Sequence, residues 1–256
     1  MSQADLSGFL DQTGEQYKAI IAYDGTDFLG FQIQARGRTV QGTLEAALKK
    51  IAKQPVRIIG AGRTDTGVHA IGQVISFRLL WRHRLADLHK ALNANLPQDI
   101  VVLELSEIDS GFHPRFDALS RQYRYTILNQ RVRDVFKRRY EMHVSQILDV
   151  GQMQQASLHL LGTHDFASFG RAPQGDNTVR TVIQAAWSVN EPEITFEITA
   201  NAFLYRMVRS IVGTLLEVGL GKLKVDEVKK ILLARDRSRA RTLVPSNGLC
   251  LVKVNY

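Results

Sequence analysis

The sequence predicts an α+β protein made of two ferredoxin-like βαββαβ halves, with mainly antiparallel sheets flanking a central basic cleft. Three observations predict it. Apolar segments of strand period and helix period follow one another in that order twice along the chain. The 256 residues suffice for two cores of about 100–130 residues each. Lys and Arg outnumber Asp and Glu by 33 to 25, a formal charge of +8 that favours a polyanionic partner.

The first half begins with a strand at 17–23, "YKAIIAY". A turn-rich stretch leads to a helix at about 40–53, where Val40, Leu44, Ala47, Leu48 and Ile51 recur at helical spacing. Thr39 can cap its start, and Pro55 stops it. Strands at 56–61 and 73–78 flank a glycine-rich loop. A helix at about 85–93 places Leu85, Leu88 and Leu92 on one side, and a strand at 100–105, "IVVLEL", closes the half.

The second half repeats that order loosely, with two helices before the last strand. A strand at 123–128 precedes a helix at 149–161, strands at 181–189 and 193–200, helices at 204–219 and 225–234, and a last strand at 249–254. Boundaries follow at 16–116 and 117–256, with residues 1–15, mostly polar, as a disordered N-terminal tail. The topology recurs and the residues do not. An old duplication explains this, and so does the frequency of the βαββαβ unit. Leu215 and Leu216 suit either a core or an interface.

No apolar run reaches membrane-spanning length, and no basic-then-apolar leader opens the chain, so a cytoplasmic protein is expected. A single cysteine, Cys250, excludes an internal disulfide and a cysteine-cluster zinc site. The charge is unevenly spread. "RQYRYTILNQRVRDVFKRRY" mixes arginines with tyrosines, and "RDRSRAR" sets Arg235, Arg237, Arg239 and Arg241 at alternate positions. Phosphate contacts with stacking rings suit RNA; an ordinary solvated basic face accounts for the same composition.

The stretch "VRIIGAGRTDTGVHAIGQVISF", at 56–77, starts like a dinucleotide cradle. Such a cradle needs a third glycine opening a helix, and Asp65 stands there, where a carboxylate would repel phosphate. Gly67 and Gly72 weaken a helix, and "QVISF" alternates as a strand, so the loop joins two strands. With Gly60, Gly62 and Gly67 permitting sharp bends, it is built to display Arg63 and Asp65. His69, four residues beyond Asp65, has no further metal ligand at a recognised spacing and is expected to be structural. Tyr123, in "RQYRY", and Arg209, in "NAFLYRMVRSIVG", also stand out. Taken singly, each has a plain explanation: a turn Asp capping backbone, a strand tyrosine packing, an exposed helix arginine.

The whole string is more specific. "AGRTDTGVHA" closely resembles the catalytic motif of the tRNA pseudouridine synthase A family, the TruA-type enzymes. "YDGTDFLGFQIQ", "RTVQGTLEAAL", "NANLPQDI", "FHPRFDALSRQYRY", "DFASF", "NAFLYRMVRSIVGTLLEVG" and "NGLCLVKV" follow in the family's order, from about Tyr17 to the C-terminus. The resemblance implies the pseudouridine synthase fold and isomerisation of uridine to pseudouridine at positions 38, 39 and 40 of the tRNA anticodon arm. It implies no cofactor and no metal, and a homodimer that shares a tRNA across a basic surface.

The family's catalytic aspartate falls on Asp65, its active-site tyrosine on Tyr123 and its basic partner on Arg209. Breaking a nucleoside bond without a metal needs an anion near C1′ or C6, so Asp65 must be ionised, and an Asp65–Arg209 ion pair is expected. Tyr123 can stack on the uracil and take part in proton transfer at C5. Arg63 matches the arginine that helps to extrude the base, although a phosphate contact is equally open. Leu249 matches an apolar pocket wall, or is simply a core leucine. Phe31 replaces a common tryptophan, Thr66 a common alanine, and "TLVPSNGL" is atypical of the family.

Two other functions fit parts of the sequence. A phosphatase reading of "AIIAYDGTDF" fails because Ala22 stands where the nucleophilic aspartate would be, two residues before Asp24. A catalytically silent tRNA-binding or RNA-chaperone protein of the same fold is the rival, and loss of Asp65, Tyr123 or Arg209 would have favoured it. All three are present.

Overall fold

Strand β1 (Glu15–Tyr23) starts the first unit and shows why this half folds. Tyr17, Ala19, Ile21 and Tyr23 alternate into the core, and Tyr17 stacks on Phe77 of a neighbouring strand with ring centroids 5.5 Å apart. The computed structural model describes residues 14–240 and 242–256, so all but the last two residues of the expected tail, and Arg241, lie outside the described residues. Contacts divide the chain into one unit that runs to Leu119 and takes in Leu251–Tyr256, and another at Ser120–Cys250.

In the first unit the order is β1, α1 (Val40–Ala52), β2 (Ile58–Gly60), β3 (His69–Leu79), α2 (Leu85–Asn95) and β4 (Ile100–Ile108). β1 lies between β3 and β4, antiparallel to both, and β2 pairs with the far end of β3 from Ile58↔Phe77 to Gly60↔Ile75. The βαββαβ order is the predicted one. Thr39 caps α1 by accepting from Gly42 N at 3.2 Å, and Lys53 ends it in the left-handed region at φ 59°. Val40, Leu44, Ala47 and Leu48 are buried; cutting back either leucine would cost about 2–5 kcal/mol. β1 starts two residues early because Gln16, though polar, is buried, its side chain donating to Ser76 Oγ at 3.0 Å.

In the second unit β5 (Ser120–Asn129), β9 (Glu193–Ala200), β8 (Val179–Asn190) and β7 (Gly162–Asp165) pair antiparallel in that order. β6 (Met142–Val144) runs parallel to β5, an exception to the antiparallel rule. Between β6 and β7 in sequence lie α3 (Val150–Ser157) and a 3-10 turn at Leu158–Leu160, and α4 (Met207–Gly219) and α5 (Val225–Ala234) follow β9. β10 (Leu249–Asn255) follows Gly248, whose carbonyl accepts from Thr126 N of β5 at 2.9 Å. Its residues from Leu251 onward group with the first unit, where Leu119 N donates to Asn255 O at 2.8 Å.

The single helix expected at 149–161 tightens into a 3-10 turn after Ser157. That expected from 204 begins at Met207, because Arg206 takes a left-handed φ of 64°. Leu215 and Leu216 on α4 are buried within the unit, which settles their role as core. Among the described residues no helix is long and apolar enough to cross a membrane.

Candidate active site

The loop at 61–68 joins β2 to β3, as the two-strand reading required. Its entry is pinned by Gln73, a fully buried amide on β3. The Gln73 Nε2 donates to Gly62 O at 2.9 Å, and its Oε1 accepts from Gly62 N at 3.3 Å. Ala61 N donates to Val74 O at 2.8 Å beside it. A buried amide satisfied on both sides fixes backbone more firmly than one bond does.

The "YDGTDFLGF" segment then lies along the loop's length. Tyr23 Oη and Thr64 Oγ1 share a buried hydrogen bond of 2.8 Å, one residue before Asp65. Phe31 N donates to Thr64 O at 3.0 Å, and Gly67 N to Phe28 O at 3.3 Å. Gly30 has φ +106°, and a Cβ there would sit 2.8 Å from Thr64 O; a Cβ on Gly25 would sit 2.0 Å from Val68 O. Only glycine permits so close an approach of two backbones. Phe31, the aromatic in place of the common tryptophan, is buried with its ring over Gly60, where a Cβ would be 2.5 Å away.

His69 closes the loop. Its Nδ1 accepts from Gly25 N at 3.0 Å and lies 3.2 Å from Asp24 Oδ1. A nitrogen that accepts from Gly25 holds no proton to give Asp24, so the amide bond assigns the tautomer with its proton on Nε2. Asp24 Oδ1 accepts instead from Thr26 N at 3.0 Å and Thr26 Oγ1 at 2.6 Å. His69 therefore serves the loop's geometry, as expected. Among the described residues no group of three or more His, Cys, Asp or Glu side chains is placed to hold a metal. On this frame Val68 N donates to Asp65 O at 3.1 Å, closing the turn; Asp65 is half-buried and Arg63 exposed.

The other three candidates belong to the second unit. Tyr123 lies on β5 opposite Ile198, only 9% exposed, and meets Phe203 edge to face at 5.0 Å. Arg209, half-buried in the first turn of α4, donates from Nε to Val244 O at 2.8 Å. The adjacent carbonyl, Pro245 O, accepts from Tyr125 Oη at 2.9 Å. Burial pushes the Tyr125 hydroxyl's pKa well above its ordinary value, against the opposing pull of the Arg209 charge, so it remains a donor. Gly248 lies against the Tyr125 ring, and the buried Leu249 follows it. Tyr125 and residues 244–249 thus bind Arg209 into the same local frame. Sequence reasoning singled out none of Tyr23, Gly30, Thr64, Gln73 and Tyr125; all but Gln73 stand inside resembling motifs, but by themselves they look like ordinary strand and loop residues.

A rigid turn presenting a carboxylate with an arginine two residues before it, and a buried tyrosine strand beside an anchored arginine, are parts suited to acid–base and ionic work on an anionic substrate. The family model for tRNA pseudouridine synthase matches residues 19–117 and 156–256. The chain is 48% identical over 231 residues to tRNA pseudouridine synthase A of Halalkalibacterium halodurans, covering 90% of this chain and 88% of that one. To the protein of the same name from Moorella thermoacetica it is 47% identical over 242 residues, covering 93% and 98%. For that from Bacillus subtilis strain 168 the identity is 45% over 242 residues, again covering 93% and 98%. The chain belongs to the tRNA pseudouridine synthase family. Among solved structures, an archaeal box H/ACA sRNP Nop10–Cbf5 complex overlaps 78% of this chain and 44% of its own at 12% identity and TM-score 0.33, too slight a likeness to bear on the chemistry.

Proposed function

We propose that the protein is an isomerase that converts uridine to pseudouridine at positions 38, 39 and 40 in the anticodon stem and loop of tRNA. The bond from uracil N1 to ribose C1′ breaks, the base turns while held, and C5 joins C1′. C5 gives up its proton and N1 gains one, so nothing is added or removed. The observation that carries the reading is the Asp65 loop, whose backbone is fixed along its length by Gln73, Tyr23, Gly30 and His69 in a chain of this family. A reactive group held to within about 0.5 Å is what such chemistry requires.

In this reading Asp65 is the nucleophile, and Arg209 supplies the positive charge that an ionised carboxylate needs. Tyr123 stacks on the uracil, and its hydroxyl takes part in removing the C5 proton. Arg63 occupies the place of the extruded base, offsetting a few kcal/mol of unstacking. Leu249 forms apolar wall. The protein works without cofactor or metal, as a homodimer in the cytoplasm.

The test uses metal-free protein and unmodified tRNA carrying tritium at uridine C5. Wild type should release tritium, and Asp65→Asn should release none while binding tRNA equally well. Tight binding with no release by wild type, across a panel of tRNAs, would replace the enzyme with a tRNA-binding or chaperone protein.

A further inference from the structure

The connection between β5 and β6, residues 130–141, is anchored at its base yet leaves its apolar tips in solvent. Its backbone is tied from several sides. Asn247 Nδ2 donates to Arg138 O at 2.9 Å and to Glu141 O at 2.8 Å, and His143 Nε2 bonds Gln130 O at 2.8 Å. Lys137 engages Glu193 and Glu141, so the acids at the base of the arm are already occupied. Above this base Phe136 is 88% exposed and Val132 71%. Arg131, Arg133 and Arg138 are exposed too, and no ion pair engages them among the described residues.

Apolar side chains held out in water on an anchored backbone mark a surface that something covers. Two occupants fit the exposure, and charge separates them. A second copy docked with its two-fold axis through the arm would bring this patch against itself, setting arginines against arginines. A polyanion meets them with opposite charge, and Phe136 beside them offers a ring on which a base can stack. Between 131 and 140 there are five basic residues and one acid, Asp134, whose Oδ1 accepts from Phe136 N at 2.8 Å.

We propose that the 130–141 arm is an RNA-gripping surface that contacts the tRNA backbone through Arg131, Arg133 and Arg138, with Phe136 as a stacking platform. The proposal rests on tRNA being the substrate, and it goes beyond that reading by assigning a surface to hold it. None of these residues belongs to the candidate catalytic set, so the arm contributes affinity and leaves the chemical step alone.

The experiment compares the full-length wild type with Arg131→Ala/Arg133→Ala/Arg138→Ala and with the same three positions changed to Lys. tRNA binding is measured from low to high salt, and tritium release gives KM and kcat separately. The triple alanine variant should raise Kd and KM about tenfold or more, with kcat unchanged, and make the slope of log affinity against log salt shallower by about two. The lysine variant should recover most of the binding. Unchanged binding and salt slope in the alanine variant would overturn the proposal, and a simultaneous fall in sedimenting mass would assign the arm to contact between copies. Weakened binding in a protein whose wild type releases no tritium would sustain the arm while removing the isomerase.

Discussion

The loop at 61–68 and the arm at 130–141 are both irregular connections between strands, but their side chains are used in opposite ways. In the loop, buried side chains and close-packed glycines hold the backbone, and one carboxylate is left half-buried at the turn. In the arm, anchors at the base hold the backbone, and nearly every side chain above them is exposed. The difference is one of tolerance. A reacting group loses rate for a displacement of about 1 Å, whereas contacts to a flexible phosphate chain adjust to it.

The comparison is broken most severely at Gly25. Gly25→Ala puts a methyl group where Val68 O already sits, so the loop must move. Isomerisation at saturating tRNA should fall by about a hundredfold or more, with a lowered melting temperature. Near-normal single-turnover rates would show that the loop tolerates displacement. The matching change in the arm, Val135→Ala, should leave the rate alone.

Tyr23→Phe is subtler, because the ring stays while the bond to Thr64 Oγ1 goes. A loss of about 1–3 kcal/mol of stability is expected from the unpaired buried partner, along with a lower kcat and an unchanged KM. A change in KM alone would place Tyr23 in binding and not in positioning.

Tyr125 sharpens the contrast by pH. Its folded pKa lies above the ordinary value of 10.0 chiefly because it is buried. The folded state therefore keeps a proton that the unfolded chain has released. Its contribution is complete below about pH 10 and is lost as pH rises through that value toward the folded one. Tyr125→Phe should make the alkaline fall in stability shallower, read as melting temperature against pH. An identical slope would show that burial does not shift this hydroxyl. Phe136→Ser, the mildest change, should alter stability by less than about 0.5 kcal/mol and weaken tRNA binding severalfold. Undiminished affinity would remove its stacking role.

Much of this was legible in the sequence. Apolar periodicity marked α1, α2 and the longer strands, because Leu44, Leu48, Leu88 and Leu92 face a core at helical spacing. Asp65 itself exposed the false dinucleotide cradle. Short elements escaped: β6 and β7 are three and four residues long, too short to show a period, and are held by pairing with longer strands. Gln16 and Gln73 hid for a related reason. Buried polar residues look like loop residues until their tertiary hydrogen bonds are seen. The left-handed Arg206 has no local signal, since arginine has no preference for that conformation, and it moved the start of α4. The family motifs drew attention to Asp65, Tyr123 and Arg209. What they could not show was the local support: the glycine contacts around Asp65 and the carbonyls of Val244 and Pro245 around Arg209 and Tyr125.

The central claim is that Asp65 is the reactive group and that its loop contributes chemistry and not affinity. The most direct test is single-turnover isomerisation by Asp65→Asn at saturating tRNA, with the dissociation constant measured on the same preparation. The account predicts no detectable pseudouridine and a dissociation constant within about twofold of wild type. Product formation at a rate near that of wild type would contradict it.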